Sequence, residues 1–185
     1  MEQTDLLGLP LPFWGVVIGT VATLTGVIAN NWMNTRNLKF QLEHAQELKK
    51  TERLIERYEE LFVLLDNWAN LFVTHFLHIK LVMDGNIDYN EYLDITSKRS
   101  SNHQHEYSRI EMIIGMYCSQ FRNHHKELLA ARDSFNKAID NHKSAYKIDG
   151  EPHAEHFKNV QSAMISVENA ISAIQDELKR EVAQL

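Results

Sequence analysis

The residues able to do chemistry are few and dispersed. The run Asp84-Gly85-Asn86-Ile87-Asp88-Tyr89-Asn90-Glu91 carries the carboxylates and the glycine of the second half of an EF-hand calcium loop. The first and third ligand positions of such a loop would fall on Lys80 and Val82, which offer no carboxylate. A helix stop at Gly85 followed by a capping box at Asp88 accounts for the same residues. His75-x-x-His78 and His153-x-x-His156 each place two imidazoles on one helical face. Zinc needs further ligands, and Cys118 is the only cysteine. No Glu has a His three residues on, so the Glu-x-x-His spacing of di-iron bundles is also missing. The sequence contains no nucleophile elbow, phosphate loop or Gly-x-Gly-x-x-Gly. These absences predict a non-enzyme with no metal and no cofactor.

A second kind of site is electrostatic. The formal net charge is −6. Residues 98–147 hold nine Lys or Arg against five Asp or Glu, net +4, between acidic segments of −6 and −4. Lys98, Arg99, His103, His105, Arg109, Arg122, His125 and Lys126 are therefore a candidate anion site, for a nucleotide or single-stranded nucleic acid. The simpler expectation is pairing with the acidic flanks. No aromatic stacking platform is evident among these residues.

The strongest signal is physical rather than catalytic. From Leu6 to Thr35 no side chain is charged. A bilayer core about 30 Å thick takes roughly 20 helical residues. Trp14 and Trp32 lie about 27 Å apart along a helix, which suits the two headgroup layers. Arg36, Lys39, Lys49, Lys50, Arg53 and Arg57 follow the span, whereas Glu2 and Asp5 precede it. The positive-inside rule then puts the N-terminus outside and the C-terminal part in the cytosol. A secretory signal peptide would want a basic start, and this start is acidic. A lone cysteine fits a reducing compartment.

Within the span Gly15, Gly19, Ala22 and Gly26 form one stripe at spacings of four, three and four, with Thr23 beside it and Asn30 and Asn34 prolonging it. Small residues let helices approach closely in lipid. Plain dimerisation, or a chance pattern, is one reading. The other is a pore lined by Gly, Thr and Asn, which a single helix cannot enclose and which takes at least four or five copies.

What must position these features is helical. Gly and Pro number only 7 and 3. The expected fold is all-α, with one transmembrane helix (residues 1–35, including the short N-terminus) and a long antiparallel bundle or coiled coil (36–185). With no Gly or Pro between Trp32 and Leu54, the span is free to run on into the first cytosolic helix. Ile55, Tyr58, Phe62, Leu65, Ala69, Phe72, Phe76, Ile79 and Met83 alternate at three and four residues up to Gly85. A short helix is expected from Asp88 to about Thr96, then a polar turn over 97–104. A second long helix follows, with Tyr107, Ile110, Ile114, Tyr117, Phe121, His124, Leu128, Ala131, Phe135, Ala138, His142 and Ala145 on its seam. His124 and His142 read there as core histidines or a pH-sensitive joint. Turn residues break this helix at 147–152. A last helix carries Phe157, Val160, Met164, Val167, Ile171, Ile174, Leu178, Val182 and Leu185.

The layout, with Gly15-x-x-x-Gly19 in a short span and a charged helix from Arg36, resembles the small single-span helical effectors of bacterial anti-phage systems, the Hailong-type channel effector among them. That resemblance implies a bacterial inner-membrane protein that assembles with itself as a tetramer or larger. It also implies ion conduction on triggering, by a nucleotide or nucleic-acid signal from a partner enzyme encoded nearby. The alternative is a non-conducting, membrane-anchored coiled coil that recruits or senses a partner protein. A phage inner-membrane accessory protein is a poorer third reading.

Overall fold

The computed structural model describes residues 11–151 and 153–185, with side chains throughout except at 11, 98–104, 149 and 154. Four α-helices follow one another: α1 (Leu11–Met83), α2 (Tyr89–Met116), α3 (Arg122–Asp149) and α4 (Phe157–Val182). Single 3-10 turns at Ser119–Phe121 and Ala154–His156 precede α3 and α4. Among the described residues there is no strand.

α1 runs without a break from the apolar segment into the amphipathic one, as the absence of Gly and Pro between them expects. It is long and apolar enough to cross a membrane, and none of its most apolar window is buried. The chain divides into two compact units, with the divide inside α1 between Thr51 and Glu52. The compositional boundary at 35/36 also falls inside α1; residues 36–50 remain helical and exposed.

In the second unit, four helical segments share one apolar core. The second half of α1 meets all three other helices. It meets α2 in opposite direction, through Glu60–Arg109, Trp68–Tyr107 and His75–Tyr92. It meets α3 in the same direction, through Tyr58–Phe121 and Phe72–Phe135. It meets α4 in opposite direction, through Phe62–Lys179 and Phe76–Phe157. Because α1 faces three partners, its buried face is wider than one stripe. Leu61, Trp68 and Val82 join Tyr58, Leu65, Phe72, Ile79 and Met83 inside, while Phe62, Ala69 and Phe76 are only partly covered. The α4 seam follows its periodicity from Val160 to Leu178, with Met164, Val167, Ile171 and Ile174 buried between them, whereas Phe157 is partly covered and Val182 and Leu185 are exposed at the end of the chain.

Helix ends follow local chemistry. Gly85 (φ 70°) and Gly150 (φ 78°) take the left-handed conformation that closes α1 and α3. Asp88 caps α2, its carboxylate accepting from the backbone N–H of Asn90 (2.8 Å) and Glu91 (2.9 Å).

Two expectations are corrected. There is no short helix with a turn at 97–104: α2 continues through that segment to Met116. The segment is polar but holds no Gly or Pro, and polarity alone does not stop a helix. Nor is there one helix from Tyr107 to Ala145. The chain breaks at 117–121, where Cys118 leaves the helical conformation (φ −129°, ψ 46°). Phe121, Leu128, Phe135 and His142 are buried as expected, but at some positions between them the seam falls one residue later. Cys118 and His125 are buried where Tyr117 and His124 were expected, and Tyr117 is exposed.

Candidate functional site

The apolar half of α1 presents an uncovered face. At 100° per residue Gly15, Gly19, Ala22, Thr23, Gly26, Asn30 and Asn34 share an arc of about 120°. A methyl added at Gly15, Gly19 or Gly26 would meet nothing within 4 Å. Thr23 donates its hydroxyl to the Gly19 carbonyl (2.8 Å), as Thr20 does to Val16 and Thr25 to Val21. Those hydroxyl protons are satisfied within the helix. Asn30 and Asn34 are exposed. Amides at membrane depth need water or another polypeptide as partner.

Of the candidate basic residues, five have described side chains, and these differ in their surroundings. The side chains of Lys98, Arg99 and His103 lie outside the described residues. Arg109 is held by Glu60, which accepts from its Nε and, at 2.9 Å, from its Nη2. Glu60 also takes Arg57, so the two arginines hold its carboxyl below the usual range. Arg122 is exposed and donates to the Gly115 carbonyl at 3.5 Å. His125 is turned inward, its Nε2 without a hydrogen-bond partner, and burial lowers its proton affinity. His105 and Lys126 are exposed. Because α2 and α3 are linked at 117–121, Arg122 and Lys126 stand beside the C-terminal end of α2, and Arg132 is level with Tyr107. Residues 98–105 therefore lie further along, away from Arg122 and Lys126.

A cluster that periodicity did not group lies where α1, α2 and α3 meet. Tyr89 and Tyr92, both buried, place their hydroxyls on imidazoles: Tyr89 Oη is 3.0 Å from His142 Nδ1, and Tyr92 Oη is 2.8 Å from His75 Nε2. His142 is fully enclosed. Its ring meets those of Tyr146 and His156 at 6.4 and 5.7 Å. Burial and the nearby Asp140 push both tyrosines' ionisation far up, so the phenols stay protonated. His78 donates Nδ1–H to the Thr74 carbonyl (2.7 Å) rather than to His75. Among the described residues no three metal-ligating side chains converge. The signal in the sequence was the pair Tyr89 and Tyr92, three apart at the start of a helix and so on one face.

Cys118, wholly buried, has its thiol pushed up to about 12 by burial, with Glu181 adding to the effect. Thiolate, not thiol, reacts. Native protein at pH 8 should therefore resist maleimide labelling, and denaturant should restore it at full stoichiometry. Rapid labelling before unfolding would place Cys118 outside the core.

No family model, curated protein or solved structure matches the chain.

Proposed function

We propose that this chain is a single-span membrane protein that assembles through its spans into an ion-conducting oligomer of four or more copies. Its 52–185 part would be an antiparallel helical bundle on the cytosolic side of a bacterial inner membrane, with the N-terminus outside. The observation that carries this reading is the face from Gly15 to Asn34. It lies on a helix with no cover of its own, is small enough for close approach, and ends in amides that lipid cannot satisfy. Parallel copies would turn that face toward one another, with Thr23, Asn30 and Asn34 available to line a wet path. The resemblance to anti-phage effectors adds the trigger: a nucleotide or single-stranded nucleic acid supplied through a partner enzyme, acting on the helical unit.

The second reading is a non-conducting anchored scaffold. What favours it is the state of two of the basic residues: Arg109 is tied to Glu60 and His125 is turned inward, so neither faces an anionic trigger. Two measurements separate the readings. Carbonate-washed membranes should retain the chain in the pellet; release would remove the span and both readings with it. Purified oligomer in a planar bilayer should then pass discrete current steps. A pelleted oligomer that passes none, with or without oligonucleotide, is the scaffold.

A further inference from the structure

Residues 36–50 of α1 follow the apolar segment and have an uncharged face that no described part of the chain covers. They are helical and exposed throughout, and the Phe40 side of the helix is bare, that residue leaving 68% of its surface in water. Arg36 lies over the Trp32 ring, 5.6 Å from its centroid, at the level the single-span reading gives to the headgroups. Counted at 100° per residue, Asn37, Phe40, Gln41, His44 and Leu48 fall on the same arc as the face from Gly15 to Asn34. Arg36, Lys39, Glu43, Glu47, Lys49 and Lys50 all fall outside that arc. Some of these charges are engaged on their own side: Lys39 is 4.0 Å from Glu43, and Lys50 is 3.0 Å from Glu47. On the uncharged side the Phe40 and His44 rings, one turn apart, meet edge to face at 6.4 Å.

We propose that this face is a contact between copies of the chain, in which Phe40 and His44 of one copy pack against the same residues of the next. The inference rests on the parallel assembly of spans proposed above and carries it out of the membrane into water. Charge names the occupant. In a parallel assembly each residue meets its own counterpart at nearly the same height, so a charged position would face its own charge. The face is clear of charge for about three turns, within a stretch otherwise rich in it.

Continuity names it too. α1 is unbroken here, so copies that touch at Gly19 and Gly26 leave the membrane side by side. If they wind into a left-handed coil the contact period is seven residues. Phe40 stands three heptads after Gly19, and His44 stands three heptads after Thr23. Both therefore stay on the face whether the helices are straight or supercoiled. Glu47, one heptad after Phe40, is where charge would end the contact. The membrane surface is the poorer cover. A helix lying on it runs in the bilayer plane, whereas 36–50 prolong the helix that crosses it.

The test is disulfide cross-linking in native membranes, on full chains carrying one added cysteine, oxidised with copper phenanthroline and read as covalent dimer on a denaturing gel. Wild type is the blank, because its Cys118 is buried. Leu42→Cys is the control: Leu42 is exposed and apolar, but lies on the opposite face, three heptads after Val21. A disulfide needs its Cβ atoms about 4 Å apart, so Phe40→Cys and His44→Cys should each give about fivefold more dimer than Leu42→Cys. Ala22→Cys reports the span contact itself. Linkage at 22, with 40 and 44 no higher than 42, would overturn this inference and leave the span assembly standing. No linkage at 22, 40 or 44 would remove both. A second measurement needs no cysteine. His44→Glu sets a carboxylate from every copy at one height and should lower the mass of the oligomer in detergent, whereas Leu42→Glu should not. An unchanged mass for His44→Glu would also overturn the contact.

Discussion

Cutting Phe121 back to alanine should destabilise the chain by about 3–5 kcal/mol, the range for deleting a fully buried aromatic ring. Phe121 has no exposed surface and packs edge-on against Tyr58 of α1, with ring centroids 6.0 Å apart. It ends the 3-10 turn between α2 and α3, so its ring ties the break in the chain to α1. The cavity would be hard to refill, because its neighbours sit on different helices and cannot all move inward together. Denaturant unfolding of the full chain in detergent, followed by circular dichroism, measures the loss. Leu77→Ala, at a half-exposed position, is the control and should stay within about 0.5 kcal/mol. A cost below about 1 kcal/mol for Phe121→Ala would place that ring outside the core.

Most of the helical layout was legible because this chain punctuates itself with glycine. After the span only Gly85, Gly115 and Gly150 remain, and each lies at a helix end. Gly85 and Gly150 stand beside turn residues, and that pairing marks a helix end in the sequence itself. Gly115 stands alone within an apolar run, which hides a boundary: Ile113 and Ile114 precede it, and Phe121 continues nearly in register. Periodicity carries across such a break when the next helix turns a similar face inward. Cys118 takes the seam position of Tyr117 at the break and His125 that of His124 beyond it, while Phe121, Leu128 and Phe135 keep theirs. The polar segment 97–104 is the opposite case: it has the composition of a turn, but it holds no Gly or Pro and stays helical within α2.

The candidate site was legible in part, for a different reason. The span face depends only on spacing along one helix, which the sequence fully determines once the helix is granted. The basic residues depend on tertiary pairing. Nothing local to Arg109 reveals that Glu60, far away in sequence, will take its guanidinium, or that His125 rather than His124 turns inward. The Tyr–His pairs lie between those cases. Tyr89 and Tyr92 share a face by spacing, but their partners lie 53 and 17 residues away.

Replacing Gly19 by leucine should abolish assembly of the spans, and with it any current. The substitution is informative because it costs the single chain little. Beyond the backbone of its own helix turn, nothing lies within 4 Å of a Cβ placed there, and leucine is a better helix former than glycine. The loss, if it comes, falls on contacts between copies. Position 19 sits mid-stripe, where its absent side chain lets a neighbouring backbone approach, and the Thr23 hydroxyl is already committed to its carbonyl. A leucine there would hold the copies apart. Val21→Leu, on the opposite face, puts the same leucine side chain there while adding one methylene, and should change neither mass nor current. Mass measurement in detergent should give a tetramer or larger for wild type and Val21→Leu, and a smaller species for Gly19→Leu. A wild-type monomer would remove the assembly altogether. An unchanged mass for Gly19→Leu would move the contact off this face, and Thr23, Asn30 and Asn34 would then have no claim to line a path.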